Sequence, residues 1–314
     1  MPVNNMKRHC LLPLVATTLA VLAPVCALAQ EVAETDIVVT GKRSLEEAAV
    51  RDAVHAITNE RSFDRPLVRF HDPVCFLVSG LGEAGDAQVR ARLLANAQTA
   101  GIPVAEEECR ANALLLVVDD PKTLVEQMAE QQPKLIPSAE RRRLEVALGR
   151  HEPVLVWHNE ELRGSAGENV RISSTASGMP VAGPSAQLGA ETPINSHTRA
   201  RRVGATHSRA IVSGVIILDI SHLIGMELLR VADYATMRLL APSMRAMPVS
   251  GDGAIGHEPD GPRSILTPFA AEQGDERLTR FDRAWLSALY DLAPNASSRR
   301  LAGAVARVYA RGDD

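Results

Sequence analysis

The chain has 314 residues, a formal net charge of −4 and only 3% aromatic residues. So small a charge implies no partner through bulk electrostatics. Nucleic-acid binding is disfavoured because bases stack on aromatic side chains, and none lie among the arginine clusters of this sequence. The length suffices for one large domain or two modest ones, each with a hydrophobic core.

The first 29 residues have the three parts of a secretory signal. Lys7 and Arg8 precede an apolar run over residues 11–28, and an A-x-A motif occupies positions 27–29. This pattern is typical of a cleaved export signal. We therefore expect a periplasmic or secreted protein with no membrane span after cleavage, the alternative being an uncleaved anchor.

Beyond the signal the chain keeps two cysteines, Cys75 and Cys109. An exported protein meets an oxidising environment, which favours a single disulfide between them. Two buried free thiols are the alternative.

Residues 30–65 are predicted to be an N-terminal arm followed by a helix over residues 44–57. Residues 66–161 alternate short apolar runs, typical of buried strands, with helical segments. The strands are expected at 73–79, 113–118 and 153–157, and the helices at 84–100, 122–130 and 138–148. This alternation predicts an α/β layer domain, with Asp120 and Ser138 capping the second and third helices.

Residues 162–205 are rich in Gly, Ser, Ala, Thr and Pro, which predicts a flexible linker. A C-terminal domain over residues 206–314 is expected to open with a strand near 210–220 and a buried helix over 222–240. Two amphipathic helices, within 278–292 and 301–308, are predicted to close it. The fold class is therefore α+β, with an N-terminal α/β layer domain, a linker and a mixed C-terminal domain.

The stretch from Gly80 to Gly85 matches G-x-G-x-x-G after a predicted strand, with Glu106 further on. Such a motif can hold a dinucleotide at a helix N-terminus. The next predicted strand is very short and contains Pro103, and the signal lacks the twin arginines used to export cofactor-loaded proteins. We therefore interpret the glycines as a tight strand-to-helix turn and expect no cofactor.

Polar residues interrupt the predicted helix over 222–240, where apolar ones would be cheaper to bury. They are the candidate ligand-binding residues: His222, Glu227, Arg230, Asp233, Tyr234 and Arg238. Two interpretations remain open. One is an internal salt bridge such as Arg230 with Asp233, and the other is a pocket for a peptide or small polar ligand.

No catalytic or metal-binding motif is found. The nine histidines are scattered without an H-E-x-x-H pattern, and no serine lies in a nucleophile elbow. The sequence therefore predicts no catalytic residue and no metal site.

Two stretches, "SILTPF" at 264–269 and "LTRFDRAWLSALYDL" at 278–292, resemble the tail of metzincin-type zinc peptidases. The resemblance implies that the active-site helix would start near His222, after a strand over 214–219. That helix here lacks the second histidine and the glutamate of the family. The whole chain also resembles a group of exported proteins from alphaproteobacteria, a resemblance that implies no activity.

The stretch "IVVTG", residues 37–41, resembles the segment near the mature N-terminus of TonB-dependent receptors. Long helices and few aromatic residues disfavour a receptor barrel. We predict an N-terminal strand or flexible arm, with strand addition to an energy-coupling partner as the alternative.

These observations favour a non-catalytic envelope protein that binds a protein, a peptide or a small polar ligand. The alternative is a divergent zinc-dependent hydrolase that uses His222 with ligands such as His257 or Asp233.

Overall fold

A computed structural model describes residues 42–58, 65–169, 171–173, 192–194, 205–242, 262–266 and 277–312. All of them belong to one unit of the chain, Gly41–Asp314. The predicted signal sequence, the stretch resembling TonB-dependent receptors and His257 lie outside the described residues.

The helices form where apolar residues recur at helical spacing, and the strands where short apolar runs end in polar or glycine residues. The helices are α1 (Lys42–Ile57), α2 (Gly82–Thr99), α3 (Pro121–Gln131), α4 (Ser138–Gly149), α5 (Leu228–Leu240), α6 (Arg280–Asp291) and α7 (Ser298–Arg311). The strands are β1 (Val68–Phe70), β2 (Phe76–Ser79), β3 (Ala113–Val118), β4 (Val154–Gly164), β5 (Arg171–Ser173), β6 (Thr192–Ile194) and β7 (His207–Asp219).

The long strand β7 is the centre of a five-stranded sheet. Its second half pairs in parallel with β3, with Leu115 opposite Ile216, and β3 pairs in parallel with β2. Its first half pairs in parallel with β1. Along its other side it pairs antiparallel with β4, with a bulge at Asn159/Glu160. The sheet is therefore mixed, with β4 as its antiparallel strand.

Helices cover both faces of this sheet. Ala113, Leu115 and Val117 of β3 enter a large core shared with α1, α2, α5, α6 and α7, whereas a smaller core on the other face contains α3 and α4. Alternate residues of β3 thus point into different cores, as the two-residue period of a strand requires. The arrangement is a three-layer fold, and the predicted α+β class is confirmed.

The predicted division into an α/β domain, a linker and a C-terminal domain differs from the structure. β7 belongs to the predicted C-terminal domain, yet it lies between β3 and β4 of the predicted α/β domain. Strand β4 continues to Gly164, inside the predicted linker, which also contains the paired strands β5 and β6. Composition could not reveal this, because strand pairing depends on contacts between distant parts of the chain.

Local boundaries show which sequence signals were reliable. Asp120 caps α3 by accepting a hydrogen bond from the Thr123 N–H at 3.0 Å, as predicted. Ser138 does not cap α4, because it is the first helical residue and Pro137 precedes it without a side-chain cap. The predicted helix over 222–240 begins later, since a 3-10 turn, Ile220–His222, and a loop precede α5.

Cys75 and Cys109 form a disulfide, as predicted. The bridge joins the residue before β2 to the loop before β3. Among the helices that the structure describes, none has the length and apolar character needed to cross a membrane.

Candidate functional site

Helix α5 carries most of the predicted ligand-binding residues and lies in the large core. Leu239 packs against Gly214 of β7, where a Cβ added to the glycine would meet Leu239 Cδ2 at 3.4 Å. Nine residues of the helix are buried, including Asp233, Tyr234 and Thr236. Because polar groups lose water on burial, each of these side chains needs a partner within the protein.

Asp233 is fully buried and accepts four hydrogen bonds. The Arg92 guanidinium on α2 donates from Nε at 2.7 Å and from Nη2 at 2.9 Å. The Asn96 amide donates at 2.7 Å and the Leu278 backbone N–H at 3.1 Å. Such a two-pronged contact is the strong form of an arginine–carboxylate pair, and it raises the pKa of Arg92 through its hydrogen bond to Asp233.

The hydrogen bonds around Asp233 join α2 to α5. Asn96 also donates to the Thr236 hydroxyl at 2.9 Å, which in turn donates to the Ala232 carbonyl at 2.8 Å. The predicted internal salt bridge of Asp233 therefore exists, but its partner is Arg92 and not Arg230. With both oxygens of Asp233 occupied, this carboxylate is a structural group of the core.

Arg230, Tyr234 and Arg238 are spaced four residues apart and so share one face of α5. The Nε atoms of Arg230 and Arg238 are buried and find no hydrogen-bond partner among the residues that the structure describes. Tyr234, between them, is 6% exposed, and burial raises the pKa of its hydroxyl while Arg238 acts against that shift. We call these three residues the arginine face of α5.

His158 of β4, which is close enough to Arg238 to feel its charge, was not predicted from the sequence. Its Nε2 lies 3.0 Å from the Leu239 carbonyl oxygen, so this nitrogen carries the proton and donates. Burial lowers the pKa of His158 to about 4, and the positive charge of Arg238 contributes to the shift. His158 is therefore neutral at physiological pH.

The two remaining predicted residues lie on the surface. The His222 side chain is 49% exposed and lies 3.7 Å from Asp219, and the Glu227 side chain is 63% exposed and pairs with Arg277 at 2.6 Å. The six candidates therefore separate into a buried cluster at Asp233, the arginine face of α5 and two exposed residues. Their spacing along the sequence could not predict which candidates are buried and which are exposed.

The glycine motif forms a tight turn between β2 and α2, as predicted. Gly80 has φ +113°, and a Cβ at this position would lie 1.9 Å from the Val117 carbonyl oxygen. Asp86 caps the turn by accepting from the Leu81 N–H at 2.9 Å. The first glycine is thus required by the close approach of the turn to β3.

A second polar cluster that the sequence did not reveal surrounds His71, after β1. Arg163 makes a two-pronged contact with Asp72 at 3.0 and 2.5 Å, and Arg69 donates to the Leu289 carbonyl at 2.5 Å. Within the described part of the chain, neither ring nitrogen of His71 has a partner at hydrogen-bond geometry. Burial and, after it, the positive charges of Arg69 and Arg163 lower the pKa of His71 to about 4. The neighbouring Asp72 and the Gly167 backbone act in the opposite direction and raise it.

The two stretches that resemble a zinc-peptidase tail touch each other through Asp282 of α6. This fully buried carboxylate accepts from Ser264 Oγ at 2.5 Å, the Ile265 N–H at 2.9 Å and the Thr279 N–H at 3.0 Å. Burial raises the pKa of Asp282 to about 6, and these hydrogen bonds oppose the shift. The contacts join residues 264–265 to the start of α6.

Within the residues that the structure describes, no three His, Cys, Asp or Glu side chains are grouped so that they could hold a metal ion. Comparisons of the chain with protein-family models, with curated proteins and with solved structures find no match.

Proposed function

We propose that the protein is an exported, non-catalytic binding protein whose arginine face on α5 holds the acidic group of a peptide or small polar ligand. The observation that carries this proposal is the pair of buried Nε atoms of Arg230 and Arg238, which have no partner among the described residues. A buried donor attached to a positive charge and left unpaired is costly. Acceptor oxygens of a bound acidic ligand would satisfy these donors.

The chemistry of the face favours a carboxylate or phosphate. A guanidinium presents N–H groups in a planar fork that matches the oxygens of either group. Tyr234, between the two arginines, adds a buried ring and a hydroxyl whose raised pKa keeps it protonated. His158, neutral because of its low pKa, does not add a further positive charge.

The test follows the Nε–Hε resonances of the arginines by NMR during titration with inorganic phosphate and, separately, with succinate. We expect saturable shifts for Arg230 and Arg238 with at least one probe. Arg230→Gln and Arg238→Gln should each weaken binding about tenfold, the effect of losing one charge-assisted hydrogen bond.

Arg142→Gln is the matched control, because Arg142 is an exposed arginine on α4. It should leave the affinity for both probes unchanged. Equal loss in all three variants would indicate nonspecific attraction to positive charge, and would contradict the proposed site. An absence of saturable shifts at Arg230 and Arg238 with both probes would contradict it as well.

Export is part of the proposal and has its own measurement. Intact-mass analysis of protein from cells that secrete through the general export pathway should give a chain beginning at Gln30. A purified protein that retains residues 1–29 would contradict the cleaved signal.

The zinc-dependent hydrolase alternative receives no specific support from the described residues. Of the ligands it would use, Asp233 has both oxygens occupied by Arg92, Asn96 and Leu278. His222 is exposed beside Asp219. Stoichiometric zinc in the purified protein, lost in His222→Ala, would favour that alternative over ligand binding.

A further inference from the structure

A cavity of about 120 Å³ lies where the end of α2 meets α6 and α7, away from the arginine face of α5. Its wall includes Asn96 and Thr99 of α2, Arg283 and Ser287 of α6 and Tyr309 of α7. A cavity of this volume has room for several waters or a molecule of a few heavy atoms.

The wall of this cavity is positive. Its charged side chains, among the residues that the structure describes, are Arg280 and Arg283, and no carboxylate is among them. Ser287 adds a hydroxyl to the wall, whereas the Asn96 amide and the Thr99 hydroxyl, which also line it, already donate to Asp233, Thr236 and the Ala95 carbonyl. Two guanidinium groups and a hydroxyl form a set suited to oxygen anions.

The two arginines are held in position by the protein. The Arg280 guanidinium carbon lies 4.3 Å from the centre of the Tyr309 ring, and its Nη2 donates to the Tyr309 carbonyl. Glu46, which is not part of the wall, pairs with its Nη1 at 3.3 Å. Arg283 donates to the Leu278 carbonyl at 2.6 Å. Donors fixed in advance lose less entropy when a ligand binds.

We propose that this cavity is a second binding site, for a small anion carrying one carboxylate or phosphate group. The anion would lie between Arg280 and Arg283, with the Ser287 hydroxyl as a further hydrogen-bond donor. The volume of the cavity matches a free inorganic anion or a short acid. This inference is independent of the arginine face on α5, from which no residue lines the cavity.

The test uses one variant that blocks the cavity and a second that removes one of its charges. Ser287→Met places a longer side chain into the cavity at a helical position, and Arg283→Gln removes one charge. Binding of inorganic phosphate and of acetate is measured by calorimetry at constant ionic strength, with Arg Nε–Hε resonances recorded in parallel. Wild-type protein should bind one of the two probes saturably, and both variants should weaken that binding about tenfold or more.

The matched control is Ala129→Met, which adds the same side chain to a different cavity, between α3 and α4. It should bind as the wild type does. A Ser287→Met protein that folds and keeps wild-type affinity would overturn the proposal, as would wild-type protein that binds neither probe in this cavity. Arg283→Gln decides the question if Ser287→Met does not fold.

The same titration separates this site from the arginine face of α5. Signals of Arg280 and Arg283 report the cavity, and signals of Arg230 and Arg238 report the proposed function. Either pair can respond without the other.

Discussion

Arg92 of α2 and Asp233 of α5 form a two-pronged ion pair across 141 residues of sequence. Asp233 is completely buried, whereas the Arg92 side chain is 32% exposed. The arginine therefore keeps part of its hydration while the carboxylate depends wholly on the protein. For this reason the two partners contribute unequally to the stability of the fold.

Replacing Arg92 by Ala is expected to lower the free energy of unfolding by about 2 kcal/mol or more, because it removes two hydrogen bonds from a buried charge. Urea unfolding followed by circular dichroism measures the change. Arg51→Ala is the control, since Arg51 forms an exposed pair with Glu47 at 3.3 Å. Its cost should stay below about 0.5 kcal/mol. Equal losses in the two variants would show that the buried pair has no special role.

Two glycines should respond to alanine in opposite directions. Gly80→Ala is expected to cost about 3 kcal/mol or more, because φ is +113° and the new Cβ would meet the Val117 carbonyl oxygen. Gly149→Ala, at the end of α4, meets nothing within 4 Å and should raise stability by up to about 1 kcal/mol. Thermal unfolding of both variants measures the difference. A tolerated Gly80→Ala would contradict the described turn.

The disulfide between Cys75 and Cys109 closes a loop with a sequence separation of 34 residues. In the chain-entropy account, this constraint on the unfolded state stabilises the protein by about 4 kcal/mol. Replacing both cysteines by Ser should lower the unfolding temperature by the same amount as reduction of the wild-type protein. If a reductant also lowers the melting temperature of the double variant, the effect of reduction on the wild type cannot be assigned to this disulfide.

His158 should make the protein less stable in acid. Its pKa is about 4 when folded and 6.5 ordinarily, so the unfolded chain takes up a proton first as the pH falls. The contribution of the neutral His158 to the free energy of unfolding is fully present above about pH 6.5. It falls by about 3 kcal/mol between pH 6.5 and pH 4. His71 acts in the same direction, and Asp282, with its raised pKa, acts in the opposite one.

Because these groups titrate together, the measurement compares His158→Gln with the wild type at each pH. The cost of the substitution at pH 7 should shrink by about 3 kcal/mol at pH 4, since glutamine does not titrate. If the difference in unfolding free energy between His158→Gln and the wild type does not change with pH, the assignment of a neutral imidazole to His158 is contradicted.

The candidate site was only partly visible in the sequence. Arg230, Tyr234 and Arg238 were among the six predicted candidates, and the apolar residues around them predicted a buried helix. The pairing of Asp233 with Arg92 could not be predicted, because the spacing within α5 pointed to Arg230 as a partner. His158 gave no signal, since a single histidine in a strand carries no pattern.

The sequence by itself determined the local elements, because helical periodicity, apolar runs, the Asp120 cap and the glycine turn act through neighbouring residues. It also determined the disulfide, since only two cysteines, Cys75 and Cys109, follow the predicted signal. Only the tertiary structure decided that β7 lies between β3 and β4 and that Arg92 reaches Asp233. Those contacts join residues far apart in the chain, and their free energy depends on which groups lose water together, which no local pattern records.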